Sequence, residues 1–453
     1  MLLKNANIYD VRAGAFKLGH LFIENGRIAD MGFDGSPQSD AIDMEASYVL
    51  PGFIDCHVHL CVDTYNPDHS RLWAGAKPGA IALSAARAAY RTLLCGVTSI
   101  REVGGWDYHE IAVRDAVNAG TIAGPRIFFS GKIISMTSSS TPYWTGMYEE
   151  ADGPDEVRKA ARKQLANGAD LIKILASGAM TSSQNERADV IQLRPDEIKA
   201  AVEIARDNFT HVASHAHACE AIINSVECGC ASVEHGSFGD ETAYKMMAKA
   251  GTYLVPTLCV HPGLLDDEDF ASQTPAHIRE RYASLRVMRT ENMRLAHSLG
   301  VAIAMGTDVG TPGNHAGNNL LELSLMVNNV GLSPEECLLA TTLHGADLLG
   351  RADDFGSLEV GKRADLVAMR ANPLEKIEAV DALDFVMKEG VAYRDDDRRL
   401  GTDCPDFRAP GAAGGFYCRA ALSRVHFSRI LRGSPWSPTL SWWPGGLAAS
   451  SIT

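Results

Sequence analysis

"GADLIKILASGAM", residues 168–180, poses the question on which the reading of this chain turns. An apolar run of this length, bounded by glycines, reads as a strand buried on both faces of a parallel sheet. Lys173 sits in its middle, with Leu171 and Ile172 before it and Ile174, Leu175 and Ala176 after it. A lysine in such surroundings must lose its charge, find a partner or do chemistry.

Similar short apolar segments recur on both sides. "GFIDCHVHL" (52–60), "GVTSIREV" (96–103) and "PRIFFSG" (125–131) precede it. "HVASHAHA" (211–218), "CASVEHGS" (230–237), "TYLVPTL" (252–258) and "VAIAMGTD" (301–308) follow. Helical patterns lie between them. "GPDEVRKAARKQLANG" has Pro154 near its start and Gly168 at its end, as helix punctuation expects. "RPDEIKAAVEIARDN" places Ile198, Val202 and Ile204 at helical spacing. Eight strands alternating with helices predict an α/β fold, a (β/α)8 TIM barrel over residues 51–354. A doubly wound sheet is the alternative, but no Gly-rich phosphate loop follows the first strand.

Residues 1–50 instead alternate apolar and polar side chains, as in "LLKNANIYDV" and "GHLFIENGRIADMG". That texture returns within 355–400, in "GSLEVGKRADLVAMRANP" and "DFVMKEGVAY". Together they predict a small β-sandwich domain built from both ends of the chain. Residues 401–453 differ from both: no Lys or Glu, seven Gly, five Pro and three of the six Trp, without periodicity. This tail is expected to be disordered or non-native.

With 453 residues, 46% hydrophobic and 22% charged, the composition is that of a soluble protein with a large core. A formal net charge of −14 argues against nucleic acid or an anionic membrane as partner. No stretch of 18 apolar residues occurs, and the start lacks a signal-peptide core. The ten cysteines form no CxxC pair, which points to reduced thiols and a cytoplasmic location.

The chemistry concentrates at strand ends. His57 and His59, in "DCHVHL", are two apart and share a strand face, and so are His215 and His217 in "SHAHA". His235 precedes a turn glycine in "EHG", and Asp308 ends the eighth strand in "GTD". With Lys173, these groups fall at strands one, four, five, six and eight, where a barrel gathers its active site. A single strand histidine is commonly a hydrogen-bonded core residue; so many together point to metal. Four histidines and a carboxylate can hold one Zn²⁺, and a second only with a bridging ligand. An ammonium has no lone pair to give, but burial favours the neutral amine. That amine can add CO₂ and become a carbamate, an anionic ligand with two oxygens.

"PGFIDCHVHL", "IKILASG", "SHAHA", "EHG" and "GTDVGTP" resemble the metal-dependent amidohydrolase superfamily, in its prolidase-like and imidazolonepropionase-related branch, which includes ochratoxin amidases. The likeness extends over roughly residues 1–395 and takes in "LEVGKRADLVAM" and "NPLEKI". It implies two divalent metal ions, usually Zn²⁺. His57, His59 and Asp308 would hold one, His215 and His235 the other, with carboxylated Lys173 bridging. His217 would face the substrate or orient a ligand. A metal-bridging hydroxide would attack a scissile amide, and Asp308 would carry its proton to the leaving nitrogen. The expected substrates are dipeptides of the Xaa-Pro kind or N-acyl amino acids of the ochratoxin kind.

One departure bears on specificity. Where relatives often have "GGHG" after the third strand, this chain has "SGKIISMTSSSTPYW", with Ser138, Ser139, Ser140 and Thr141 in its place. Ser140, Tyr143, Arg126 and His315 are the candidates for substrate contact. Packing is the commoner role of aromatics such as Tyr143 and Trp144, and salt bridging that of Arg101 and Arg126. Competing readings are a cyclic-amide hydrolase or deaminase, a metal-free scaffold and a Schiff-base lyase using Lys173. The lyase leaves the histidine pairs and Asp308 without work. Self-association into a homo-oligomer stays open.

Overall fold

The computed structural model describes residues 1–32, 41–62, 73, 75–266 and 268–397. The expectation for residues 401–453 lies outside these. Seven of the eight expected barrel strands form, each shorter than its apolar run: Phe53–Val58, Val97–Glu102, Arg126–Phe129, Ile172–Leu175, Val212–Ala216, Ser232–His235 and Tyr253–Val255. All pair in parallel, the first three in one sheet and the last four in another. Short strands at Ile133–Ser135 and Tyr148–Glu150 extend the second sheet at its edge. Between the sheets, the Asp170 amide donates to the Phe129 carbonyl at 2.8 Å.

The eighth position departs from expectation. Residues 301–308 make no ladder, only a single parallel bridge from Ile303 to Leu254, with another just beyond from Val309 to Val58. Their backbone groups are still used. The Ala304 amide donates to Leu254, and the Met305 carbonyl accepts from Cys56. The Met305 amide, however, donates to the Ala340 carbonyl, so the segment divides its bonds between its neighbours and a helix. Parallel-strand hydrogen bonding is interrupted there.

Helices Pro154–Ala166 and Pro195–Asp207 each begin at a proline, the first at the expected one, and carry acidic pairs in their first turns, Asp155 with Glu156 and Asp196 with Glu197. Each buries one stripe: Val157, Ala160, Ala161 and Gln164 in the first, Ile198, Ala201, Ile204 and Ala205 in the second. A helix at Ala276–Ser298, 23 residues long, has no counterpart in the sequence reading. Its buried residues are Ile278, Tyr282, Arg289, Met293 and Ala296, a thin stripe interrupted by a cation. Among the described residues no helix is long and apolar enough to cross a membrane.

Strands from residues 2–51 and 366–395 join in one eight-stranded sheet, because Tyr48–Pro51 pairs with Leu366–Met369. It is one continuous sheet, not the two separate sheets that the word sandwich implies. The sheet bends round its own core of Leu3, Leu21, Ile28, Val49, Phe385 and Met387. Two of its hairpin turns meet: a Cβ at Gly390 would stand 3.2 Å from the Cα of Gly26, and both residues have positive φ. Glycine fits that contact on both counts.

Candidate functional site

Strand register places the site. Lys173 lies beside Ala213, Ala213 beside Ser232, and His215 beside Glu234. In parallel strands, partners in register project from the same face. Lys173 is 1% exposed, and its Nζ has no hydrogen-bond partner. Burial pushes its pKa down to about 8, against the upward pull of Glu234. An unpaired amine in a buried position is the exception that asks for an explanation.

His57 and His59 bring their Nε2 atoms to 3.6 and 3.3 Å from Asp308 Oδ1. Their Nδ1 atoms face the protein, His57 on Glu234 Oε2 at 2.7 Å and His59 on the Gly104 carbonyl at 3.0 Å. A carbonyl or carboxylate at Nδ1 takes the ring proton there and leaves the Nε2 lone pair for a metal. His57, His59 and Asp308 each offer one such atom within 4.8 Å of the others, and so do His215, His217 and His235. His215 reverses the pattern: its Nε2 lies 3.3 Å from the Gly178 carbonyl, which leaves Nδ1 open. The two groups adjoin, with ring centroids 4.9 Å apart for His57 and His235 and 4.5 Å for His215 and His235. Burial, with Lys173 next, lowers the pKa of His57 to about 4 and of His215 to about 3. His217 and His235 are also held well below the ordinary value, chiefly by burial. Burial alone would raise the Asp308 carboxyl, but His57 and His59 outweigh it and keep it low. Burial thus favours the neutral imidazole at His57, His215, His217 and His235, the protonation state that metal binding requires.

Two of these groups depart from strand geometry. Ser232 and Glu234 share the inward face, so strand alternation would turn His235 outward. Its φ of +68° swings the ring back to the cluster, and Asp308 is likewise left-handed, at +58°. Non-glycine residues adopt such angles at a cost of about 1–3 kcal/mol, and such strain gathers at functional sites.

Residues 48–392 match the family model described as "Amidohydrolase family". The chain belongs to the amidohydrolase family. It is similar to ochratoxinase of Aspergillus niger, 32% identical over 377 residues, which are 76% of this chain and 75% of that one. It is also similar to imidazolonepropionase of Methylobacterium nodulans, 25% identical over 78% of this chain and 88% of that one. A solved Xaa-Pro dipeptidase with bound methionine in its active site superposes with a TM-score of 0.79, 31% identical, over 87% of this chain and 99% of its own. This amidohydrolase therefore has a TIM-barrel-like α/β fold and is a hydrolase of the carbon–nitrogen, amide-bond class. Its superfamily generally uses divalent metal, and the two histidine groups are the candidates to hold it.

The remaining candidates lie in different surroundings. Arg126 is the first residue of its strand, at the end away from Phe129. Its guanidinium is taken by Ser99 and Asp365 at 2.8 Å and by Glu389 at 2.5 Å. This corrects its assignment to the substrate: it ties the third strand to the eight-stranded sheet. Ser140 is buried, and its Oγ accepts from the Ser183 amide at 3.1 Å, so it holds two loops together. Trp144 is also buried and donates from Nε1 to the Thr181 carbonyl at 3.0 Å, with Tyr143 packed on it at 5.3 Å. His315 stands edge-on to Phe270, 6.3 Å away.

Arg101, considered for a carboxylate, meets one inside the protein. It donates to Glu234 at 2.8 Å, Ser232 at 3.0 Å and the Cys56 carbonyl at 2.7 Å. Glu234, fully buried, thereby links Arg101 to His57. Burial would raise its carboxyl, but Arg101, Lys173 and His57 together hold it far below the usual range. Glu234 stands next to His235 in "EHG" and was not among the expected site residues; a charge in an apolar strand is the signal that marks it.

Proposed function

We propose that this amidohydrolase hydrolyses the amide bond of a dipeptide or an N-acyl amino acid at a binuclear metal centre, within a closed (β/α)8 barrel of residues 51–354 beside a small domain of 1–50 and 355–400. The observation that carries the reading is the Lys173 amine, buried without a partner among four histidines and Asp308. His57, His59 and Asp308 would hold one ion, His215 and His235 the other, with Lys173 between them as a carbamate. A depressed lysine pKa favours that modification, because only the neutral amine adds CO₂. When bound, the metals would supply Lewis acidity and a water of lowered pKa. Asp308 stays ionised and so can accept a proton at its carboxylate and return it to the leaving nitrogen. His217, whose Nδ1 is 2.8 Å from Ser237 Oγ, would orient the substrate.

Similarity to an ochratoxinase and to a Xaa-Pro dipeptidase supports an acyl group joined to an amino acid as substrate. The test screens the zinc-loaded protein against dipeptides and N-acyl amino acids, reading amine release, beside Lys173→Ala. Substrate turnover by the wild type, lost in the variant and partly restored by short-chain carboxylic acids, is the expected result. Unchanged activity in Lys173→Ala overturns the carbamate. Borohydride inactivation in the presence of substrate would instead establish a Schiff base at this lysine.

A further inference from the structure

Thr257 is a β-branched residue in the left-handed region, with φ +52°. For such a side chain that is a true outlier, and it persists only where the surroundings enforce it. They do so from two sides. Glu322 accepts the Leu258 amide at 2.7 Å and the Cys259 amide at 2.8 Å. Arg289, 3% exposed on helix Ala276–Ser298, uses one terminal nitrogen on the Pro256 carbonyl, the Thr257 carbonyl at 2.9 Å and Thr257 Oγ1 at 2.8 Å. The Thr257 amide is fixed as well, on the Gly306 carbonyl at 3.1 Å. What this bracing aims is the hydroxyl, which lies 2.8 Å from His235 Nδ1.

We propose that Arg289 is a positioning residue for His235, acting through Thr257. The guanidinium fixes the strained threonine, and the hydroxyl fixes the ring whose own backbone turns left-handed at the strand's last residue. His235 Nε2 is thereby kept toward the cluster. His57 has its counterpart in Glu234 and Arg101, so each half of the cluster is backed by a buried arginine through one intermediate side chain. The inference rests on the metal-binding reading above.

The test compares Thr257→Ser, Thr257→Val and Arg289→Ala, each loaded with zinc and dialysed against a chelator. Retained metal is counted, and the visible spectrum of the Co²⁺-substituted protein is recorded. Thr257→Ser should behave as the wild type. Thr257→Val, similar in shape but without the hydroxyl, should weaken one of the two metal equivalents by about ten- to a hundredfold and alter the spectrum. Arg289→Ala should do the same and be partly rescued by millimolar guanidinium. A small pocket lined by Leu258, His261, Arg289 and Leu325 adjoins the place the guanidinium group would leave. If Thr257→Val holds both equivalents like the wild type, or guanidinium leaves a folded Arg289→Ala unchanged, the positioning role is overturned. Should Arg289→Ala fail to fold, the Ser and Val pair at Thr257 decides. A wild-type protein that takes up no divalent metal overturns the metal reading itself, and this inference with it.

Discussion

The two ends of the barrel strands treat buried charge in opposite ways. At the end that begins the third strand, Arg126 meets Ser99, Asp365 and Glu389, and Glu389 also pairs with Arg363 at 2.6 Å. Every partner there is found, and the network joins one sheet to the other. At the end that carries Lys173, by contrast, a buried amine lacks a partner. The difference separates cohesion from chemistry. Satisfied charge holds elements together, while a buried group left without a partner is available to something that binds.

Glu234 should break this division most severely, because it belongs to both kinds. Glu234→Ala strands a fully buried Arg101 and releases His57, at a cost of roughly 3–5 kcal/mol. Urea unfolding of the metal-free protein measures it; a loss below about 1 kcal/mol would mean that water takes the carboxylate's place.

Acid offers a second, intermediate test. The folded pKa of His57 is about 4 and that of His215 about 3, against about 6.5 when unfolded. Between those values the unfolded chain binds more protons, so this stabilisation is complete above pH 6.5 and drains away as pH falls toward 4. Calorimetry of the metal-free protein should show a Tm that declines over that window. A Tm that stays level down to pH 5 would mean that the imidazoles are not held neutral.

The smallest effect is expected at the opposite end. Arg126→Met should cost about 1–3 kcal/mol by leaving the buried Asp365 short of a donor, which a shifted denaturant midpoint reads. In the same variant kcat/KM should stay within about twofold of the wild type, since no part of the histidine cluster is touched. A selective loss of turnover would show that the two ends are coupled.

Much of this was legible in the sequence. Period and punctuation located seven strands and the helices that begin at Pro154 and Pro195, because burial on both faces leaves continuous apolar runs and proline favours a first turn. The paired histidines were equally plain, since alternate residues share a face. What stayed hidden depends on the third dimension. Residues 301–308 have a strand's composition but spend one amide on Ala340, a partner no local pattern indicates. Helix Ala276–Ser298 hides because Arg289 occupies its buried stripe, and it does so in order to reach Thr257. Glu234 and Arg101 each look like an anomaly in an apolar strand and make sense only as a pair.

The left-handed angles at His235 and Asp308 matter for anyone who would transplant this cluster. Copying six side chains onto ideal strands of another barrel would aim His235 at the wrong layer and leave Asp308 misdirected, however faithful the choice of amino acids. A graft has to carry the backbone exits after strand six and after residue 307 as well, together with the residues that hold them bent. The unit of inheritance here is a set of kinks as much as a set of ligands.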